Sequence, residues 1–373
     1  MAEQNHSEPL AGLPRGLNIL LTLAGSVIVV AGLRSFADMV GPVFLALVVV
    51  VVVSPVQGAL IRRGAPTWVA TVALFLSAFG VLAAIVLALV WAAAELAGLV
   101  TSDTYSSQLQ QTRDDLVDWL EELGVAGGEL ESVLDVVDIG TVAGELTSAL
   151  SGVLGLLSSL SLLVFTLVFV VMDASKFERN LRYVARDRGT VAEALRQFAS
   201  STRSYFIVSS VFGLIVAVFD VLALVALGIP LALVWGVLSF ITNYIPNIGF
   251  VIGLIPPAVL AFFQGGWQLS LAVVVIYSVL NVVIQSIIQP RYVGDAVGLS
   301  VTLTFISLIF WGWVLGPLGA LLAIPLTLLV KALLIDIDPT TKWAAPLITL
   351  DKPPEEALVA GRPPDGEDGS AGT

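Results

Sequence analysis

Runs of about 20 apolar residues, almost free of charge, recur along this chain, and such a run has one stable solution, a helix across a bilayer. In hydrocarbon every backbone N–H and C=O must be paired within the segment, which a helix does and an isolated strand does not. Candidate spans are Leu17–Leu33, Val40–Leu60, Pro66–Ala94, Val153–Met172, Tyr205–Leu227 and Leu269–Gln289. Charged residues make up 12% of the chain, against about 25% in a soluble domain. The expected fold class is therefore an all-α polytopic integral membrane protein.

Charge distribution orients it. The stretch Thr101–Leu150 holds eleven acidic residues and one base, Arg113. The stretch Asp173–Arg203 holds seven bases and four acids. Lys and Arg collect on the cytoplasmic side, so the second insert is expected inside, the first outside and the N-terminus cytoplasmic. Arg62 and Arg63 after the second span agree with that assignment. The net charge of −12 resides in the outer insert and the tail, so no basic surface points to nucleic acid.

This predicts a cytoplasmic segment (1–16), a three-span unit (17–100), an acidic extracytoplasmic helical insert (101–150) and a fourth span (151–172). A basic cytoplasmic amphipathic insert (173–203), a motif-rich transport unit (204–335) and an acidic, largely disordered tail (336–373) follow. Within the outer insert Thr112 and Asp115 form a capping-box pattern ahead of Leu116, Trp119, Leu120 and Leu123. That helix packs on the membrane or a neighbouring subunit, or gathers substrate. Thr190 and Glu193 form a second such pattern in the inner insert, expected along the inner leaflet. The N-terminus lacks the basic start and cleavage site of a signal peptide, so the first span is expected to stay in place.

Two apolar runs are the wrong length for a span. Pro230–Phe263 as one helix would extend roughly 51 Å, against a hydrocarbon core of about 30 Å. It is too short for two full spans. The segment Asn243–Pro257, NYIPNIGFVIGLIPP, places prolines and glycines in its middle. A re-entrant helical hairpin broken at Tyr244–Gly249 fits, because Pro246 has no N–H and Gly249 tolerates unusual dihedrals. The run Gly298–Leu334 repeats the pattern, breaking at Leu315-Gly316-Pro317-Leu318-Gly319. Each run follows an apolar span, and the orientations make the hairpins enter from opposite sides. That is the inverted-repeat pattern of secondary transporters, whose sites lie where broken helices meet. The alternative is two tilted, Pro-kinked spans. The reading is about six full spans plus two re-entrant hairpins of opposite orientation.

Polar residues inside these runs are the candidate site. Asn281, Gln285 and Gln289 fall four residues apart, on one helix face ahead of Pro290, either as inter-helix ties or facing a cavity. Asn243 and Asn247 flank the first break and either cap half-helices or touch substrate. Asp220 stands in FGLIVAVFDVLAL with no neighbouring charge, a candidate for ion or proton coupling. It lies about 24 Å of helix beyond Ser204, which also suits an inexpensive place at the outer interface.

The chemistry available is narrow. The chain has no cysteine, and its single histidine is His6. It has no P-loop, no Gly-x-Gly-x-x-Gly before a helix and no Ser/His/Asp set. No cofactor, metal site or enzymatic activity is expected.

The segments GIPLALVWGVLSFITNYIPNIGFVIGLIPPAVLA and IQPRYVGDAVGLSVTLTFISLIFWGWVLGPLGALLAIPLTLLVKALL resemble the signature of the autoinducer-2 exporter family. The order of spans and inserts resembles it too, over about Leu17 to Leu334. The resemblance implies a multi-pass transporter of the bacterial inner membrane, homo-oligomeric and without a nucleotide cofactor. Some members export autoinducer-2, and others are assigned as sodium/proton antiporters. The matching motif positions are Pro246, Gly249, Gln289, Pro290, Gly316, Gly319 and Pro325. Many members open the fifth span with Tyr-x-x-Gly-Gln; here Tyr205 is followed by Phe206, Ile207, Val208 and Ser209.

The expected function is gradient-driven export of a small polar molecule by alternating access. The pathway residues are Asn243, Pro246, Asn247, Gly249, Pro256, Asn281, Gln285, Gln289, Pro290, Gly316, Pro317, Gly319 and Pro325. A sodium/proton antiporter using Asp220 is one alternative; a non-transporting scaffold or passive pore is the other. The expected partners are a small molecule or ion, the bilayer and further copies of the chain.

Overall fold

The computed structural model describes residues 15–100, 162–174, 176–177, 180–186, 188–246, 248–289 and 299–337. The outer insert, the tail, Asn247 and Pro290, with the expectations attached to them, lie outside the described residues. The described residues are helical, with no strand among them. In order they form α1 (Arg15–Ser35), α2 (Ala37–Arg62), α3 (Thr67–Val100), α4 (Leu162–Ala174), α5 (Gly189–Ala226), α6 (Ala232–Thr242), α7 (Gly249–Asn281), α8 (Val301–Leu321) and α9 (Ala323–Lys331). Two π-helical segments, Val282–Ile288 and Ala332–Asp336, extend α7 and α9.

Five helices among the described residues are long and apolar enough to cross a membrane: Ala37–Arg62, Thr67–Ala92, Gly189–Ala226, Gly249–Ile288 and Val301–Leu321. Large apolar side chains lie bare on their outer faces, among them Val211, Phe219 and Val225 on α5 and Ile306 and Ile309 on α8. Water would not tolerate so much exposed hydrocarbon, and lipid does. The protein is a multi-pass membrane protein. The six valines Val48–Val53 of α2 would favour a strand in water; in a bilayer their backbone must pair within the segment, and they are helical.

Helix α5 runs unbroken across the expected boundary at Tyr205, from Gly189 to Ala226, 38 residues or roughly 57 Å at the α-helical rise. No proline interrupts it, and its length exceeds a hydrocarbon core of about 30 Å. Its N-cap is Arg188 without a side-chain bond, so Thr190 does not serve as the cap.

Where Pro55 interrupts the α2 ladder, α5 repairs it. Pro55 has no N–H to give the Val51 carbonyl. Arg203 Nε donates to that carbonyl at 3.2 Å, and Arg203 Nη2 donates to Ser54 Oγ at 2.8 Å.

After α5 the chain doubles back. Helix α6 has 11 residues, roughly 16 Å, far short of a bilayer core. The turn 243–248 reverses it, and the first limb of α7 returns alongside. Gly249 and Gly253, a Gly-x-x-x-Gly pair, make the close approach possible. A methyl on Gly249 would run into the Thr242 carbonyl, and one on Gly253 would come within 3.2 Å of Ser239 Cα. Gln264 Nε2 donates to the Gly228 carbonyl at 3.2 Å and closes the base of the pair. A second reversal follows at Gly265 and Gly266; Gly266 has φ 69° and ψ −169°, a conformation open to glycine. The second limb of α7 then runs back, with Ser270 Oγ donating to the Ala258 carbonyl at 2.9 Å.

The chain doubles back again at Gly316, φ 68°. Trp311 Nε1 donates to Thr327 Oγ1 at 3.0 Å, across 16 residues that a straight helix would separate by roughly 24 Å. A methyl on Gly319 would strike the Trp311 carbonyl. The return limb is interrupted at Leu322, because Pro325 cannot donate to the carbonyl of Leu321.

The turn of the first pair meets the second. Ile245 and Ile248 pack on a buried cluster that includes Leu308, Trp311, Leu315 and Leu322, with Phe44 and Val48 of α2 and Phe198 of α5. A separate cluster joins α2, α3 and α4 through Val50, Leu74 and Leu167.

Candidate functional site

The first doubled-back pair, α5 and the end of α7 converge on a chain of amides. Helix α6 ends at Thr242, which places Asn243 at the turn. Gly213 on α5 leaves room for it, since a methyl there would lie 2.5 Å from Asn243 Nδ2. Asn243 Nδ2 donates to the Ser209 carbonyl at 3.1 Å. Gln285 Nε2 donates to Asn243 Oδ1 at 2.7 Å and to Asn281 Oδ1 at 2.6 Å. Asn281 Nδ2 in turn donates to the Tyr277 carbonyl at 3.0 Å. Asn281 is buried; Asn243 and Gln285 are half-buried.

Gln285 sits in the π-helical segment Val282–Ile288. Such insertions are frequent at functional sites, because they widen the turn and redirect side chains. Here the π turn presents Gln285 to both asparagines. Gln289, the third amide of the expected face, is half-buried and makes no side-chain hydrogen bond among the described residues.

An aromatic layer adjoins the amides. Tyr205 Oη donates to the Tyr244 carbonyl at 2.7 Å, and the Tyr244 and Ser210 hydroxyls share a hydrogen bond of 2.7 Å. Phe206 and Phe240 stack on Tyr244, with ring centroids 5.6 Å away in each case. The break at 243–248 is thus held by α5 through backbone carbonyls and hydroxyls. A broken segment at membrane depth needs such partners.

On the other side of the amides, Ser239 Oγ donates to Asp220 Oδ2 at 2.6 Å. Asp220 is fully enclosed, with 0% exposure. An exposed place at the membrane interface, allowed by its distance along the helix, is not where it sits. Its second oxygen, Oδ1, has no hydrogen-bond partner among the described residues, and neither has the buried Tyr277 hydroxyl.

The structure brings together Asn243, Asn281 and Gln285, with Pro246 half-buried at the turn and Gly249 at the start of the return limb. Pro256 lies two helical turns away along that limb and does not join them. Gly316, Pro317, Gly319 and Pro325 form the second reversal. That region meets the turn of the first pair through Ile245 and Ile248. Ser209, Ser239, Tyr244 and Tyr277 were not singled out by the sequence. A signal existed for two of them, because Ser239 precedes Asn243 by four residues and Tyr277 precedes Asn281 by four, on the same faces.

A cavity of about 380 Å³ between α3, α5 and α6 is lined by Ile85, Leu214, Val218, Leu233, Phe240 and neighbouring apolar residues. It offers nothing to orient a polar solute.

Comparison with known proteins agrees with this architecture. The AI-2E family transporter model matches residues 17–338. AI-2 transport protein TqsA of Escherichia coli (strain K12) is 30% identical over 317 residues, covering 85% of this chain and 91% of that protein. YhhT of the same strain is 30% identical over 316 residues, covering 85% and 90%. A transport protein of Haemophilus influenzae is 29% identical over 339 residues, covering 87% and 94%. With its family model matched over residues 17–338, the chain belongs to the AI-2E family of transporters.

Proposed function

We propose that this protein is a gradient-driven secondary transporter that exports a small polar molecule by alternating access at its broken helices. The observation that carries this reading is the amide chain Asn243–Gln285–Asn281, set against the turn of a doubled-back helix pair. Amides in an apolar interior are stable only with partners, and the same donors and acceptors can pass to a polar solute. The two doubled-back pairs are read as re-entrant hairpins entering from opposite faces. In the first pair, limbs of 11 and 16 residues support that, being too short to cross a bilayer core of about 30 Å. Opposed broken helices with a polar site between them are the common plan of secondary transporters. AI-2, which one relative's name carries, is the first solute to test.

In this reading the bacterial inner membrane is the setting, the chain works as a homo-oligomer, and the hairpin-bearing half moves against α2, α3 and α4. Gly265 and Gly266 supply a flexible joint between the first hairpin and the following span.

The chain's lack of cysteine makes the test direct. A single cysteine introduced as Asn247→Cys is labelled with a membrane-impermeant thiol reagent applied from each side of proteoliposomes. Labelling from both sides, with a balance shifted by AI-2, supports alternating access. Labelling from neither side under any condition means that the turn is packed permanently in protein, and the transport reading fails.

A further inference from the structure

A carboxyl group with no exposure, one hydrogen bond and no cationic partner is the least stable kind of group to leave charged in a membrane protein. Asp220 is that group. Its Oδ2 accepts from Ser239 on α6, and its Oδ1 is unpartnered among the described residues. The groups around it can be named. Helices α6 and α7 contain no charged residue at all, and Asp220 is the sole charged residue of α5 beyond Arg203. The sole charged residue of α3 is Glu95, which is exposed. The titratable residue of α7 is Tyr277. Its hydroxyl is fully buried and also unpartnered among the described residues, and its ring packs with Leu224, Trp235, Leu254 and Val273.

A carboxylate accepts hydrogen bonds and donates none, so the charged form would leave Oδ1 unsatisfied in an apolar enclosure. A carboxylic acid carries no charge to leave unsolvated there. The two forms also differ in what they ask of the surroundings. The acid suits the closed arrangement, in which Ser239 bonds one oxygen. The carboxylate needs water, which reaches it only if α6 draws away. Because Ser239 stands one turn from Asn243 on α6, and Tyr277 one turn from Asn281 on α7, any such movement reaches the amide chain directly.

We propose that Asp220 is a proton-binding site of the transport cycle, taking one proton from water on one side and releasing it to water on the other. Proton occupancy sets the position of the α6–α7 hairpin through Ser239. This rests on the transporter reading above. Only an O–H bond forms and breaks; the proton comes from hydronium and returns to water. A proton that binds the closed arrangement more tightly than the open one shifts the population toward closed, and the transmembrane proton gradient then drives the cycle.

Two measurements on the full-length protein test it. Infrared difference spectroscopy in proteoliposomes should show the carbonyl stretch of a buried carboxylic acid that titrates with pH. The band should vanish in Asp220→Asn and move in Ser239→Ala, which loses the hydroxyl bonded to Oδ2. In the Asn247→Cys background, the ratio of labelling from the two sides should change with pH, and Asp220→Asn should abolish that change. Asparagine is isosteric and keeps an acceptor for Ser239; if that variant does not fold, Ser239→Ala carries the spectroscopic test alone. A band unchanged by these substitutions, or a pH-dependent labelling ratio that survives Asp220→Asn, overturns the proposal while leaving transport intact. A cysteine never labelled from either side overturns the transport reading, and with it the coupling, even if the acid band is present.

Discussion

Gln285 and Asn243, 42 residues apart in sequence, are joined by a 2.7 Å hydrogen bond between the π-helical end of α7 and the turn of the doubled-back pair. The same Gln285 nitrogen reaches Asn281 at 2.6 Å. One side chain thus holds the break against the span that follows it, and whatever displaces that side chain frees both.

Gln285→Leu keeps the volume and removes the donor. Asn243 Oδ1 and Asn281 Oδ1 are then left without their partner, and stability should fall by about 1–3 kcal/mol. Labelling of a cysteine at position 247 should become faster as the turn loosens. Thermal unfolding in detergent together with labelling rates checks this; no change in either would mean that the amide chain does not restrain the turn.

Gly249→Ala places a methyl on the Thr242 carbonyl, a backbone atom that cannot step aside cheaply. The two limbs must separate, at an expected loss of about 1–3 kcal/mol. Gly80→Ala is the control, because a methyl there meets nothing within 4 Å. Equal melting temperatures for the two variants would argue against close limb packing.

Arg203→Ala removes one of two donors to the Val51 carbonyl left open by Pro55, the other being the Ser54 hydroxyl at 2.9 Å, and also removes the bond to Ser54 Oγ. Hydrogen bonds from a charged group are worth about 1.5–3 kcal/mol, and a loss in that range is expected. Pro55→Ala restores a backbone N–H to Val51, so the double variant should recover part of the loss. A double-mutant cycle measures the coupling, and additivity would show that Arg203 does not compensate for Pro55.

Trp311→Phe keeps most of the buried ring and removes the N–H that bonds Thr327 across the second reversal. The expected loss is about 1 kcal/mol, read as a lower melting temperature. Thr327→Val should produce a similar loss, and combining the two should add little more. Losses that simply add would show the bond to be unimportant.

Much of this architecture was legible without coordinates. Helical spans follow from apolar length. The breaks near Pro246 and at Gly316 follow from Pro246, Gly316 and Pro317, since a missing N–H or a positive φ is a local property; Gly249 has no positive φ and serves the close approach to Thr242. The amides Asn243, Asn281 and Gln285 stood out because polar groups are rare in such segments. Less was legible where the chain gives no local signal. The junction between the basic insert and the span carries no breaker, so nothing in the sequence showed that α5 crosses it. The π-helical turn that aims Gln285 at Asn243 is decided by packing, and an i, i+4 count does not reveal it.

Asp220 shows the division most clearly. Sequence alone determined that a lone carboxyl stands in an apolar helix, and how far along the helix it lies. Distance along a helix is one-dimensional, and it left an exposed interface and a buried site equally open. The tertiary structure decided between them by folding α6 and α7 against α5, so that Ser239 bonds one oxygen and Asp220 is left with no exposure. Enclosure depends on what other segments pack around a residue, and no stretch of sequence near Asp220 carries that information.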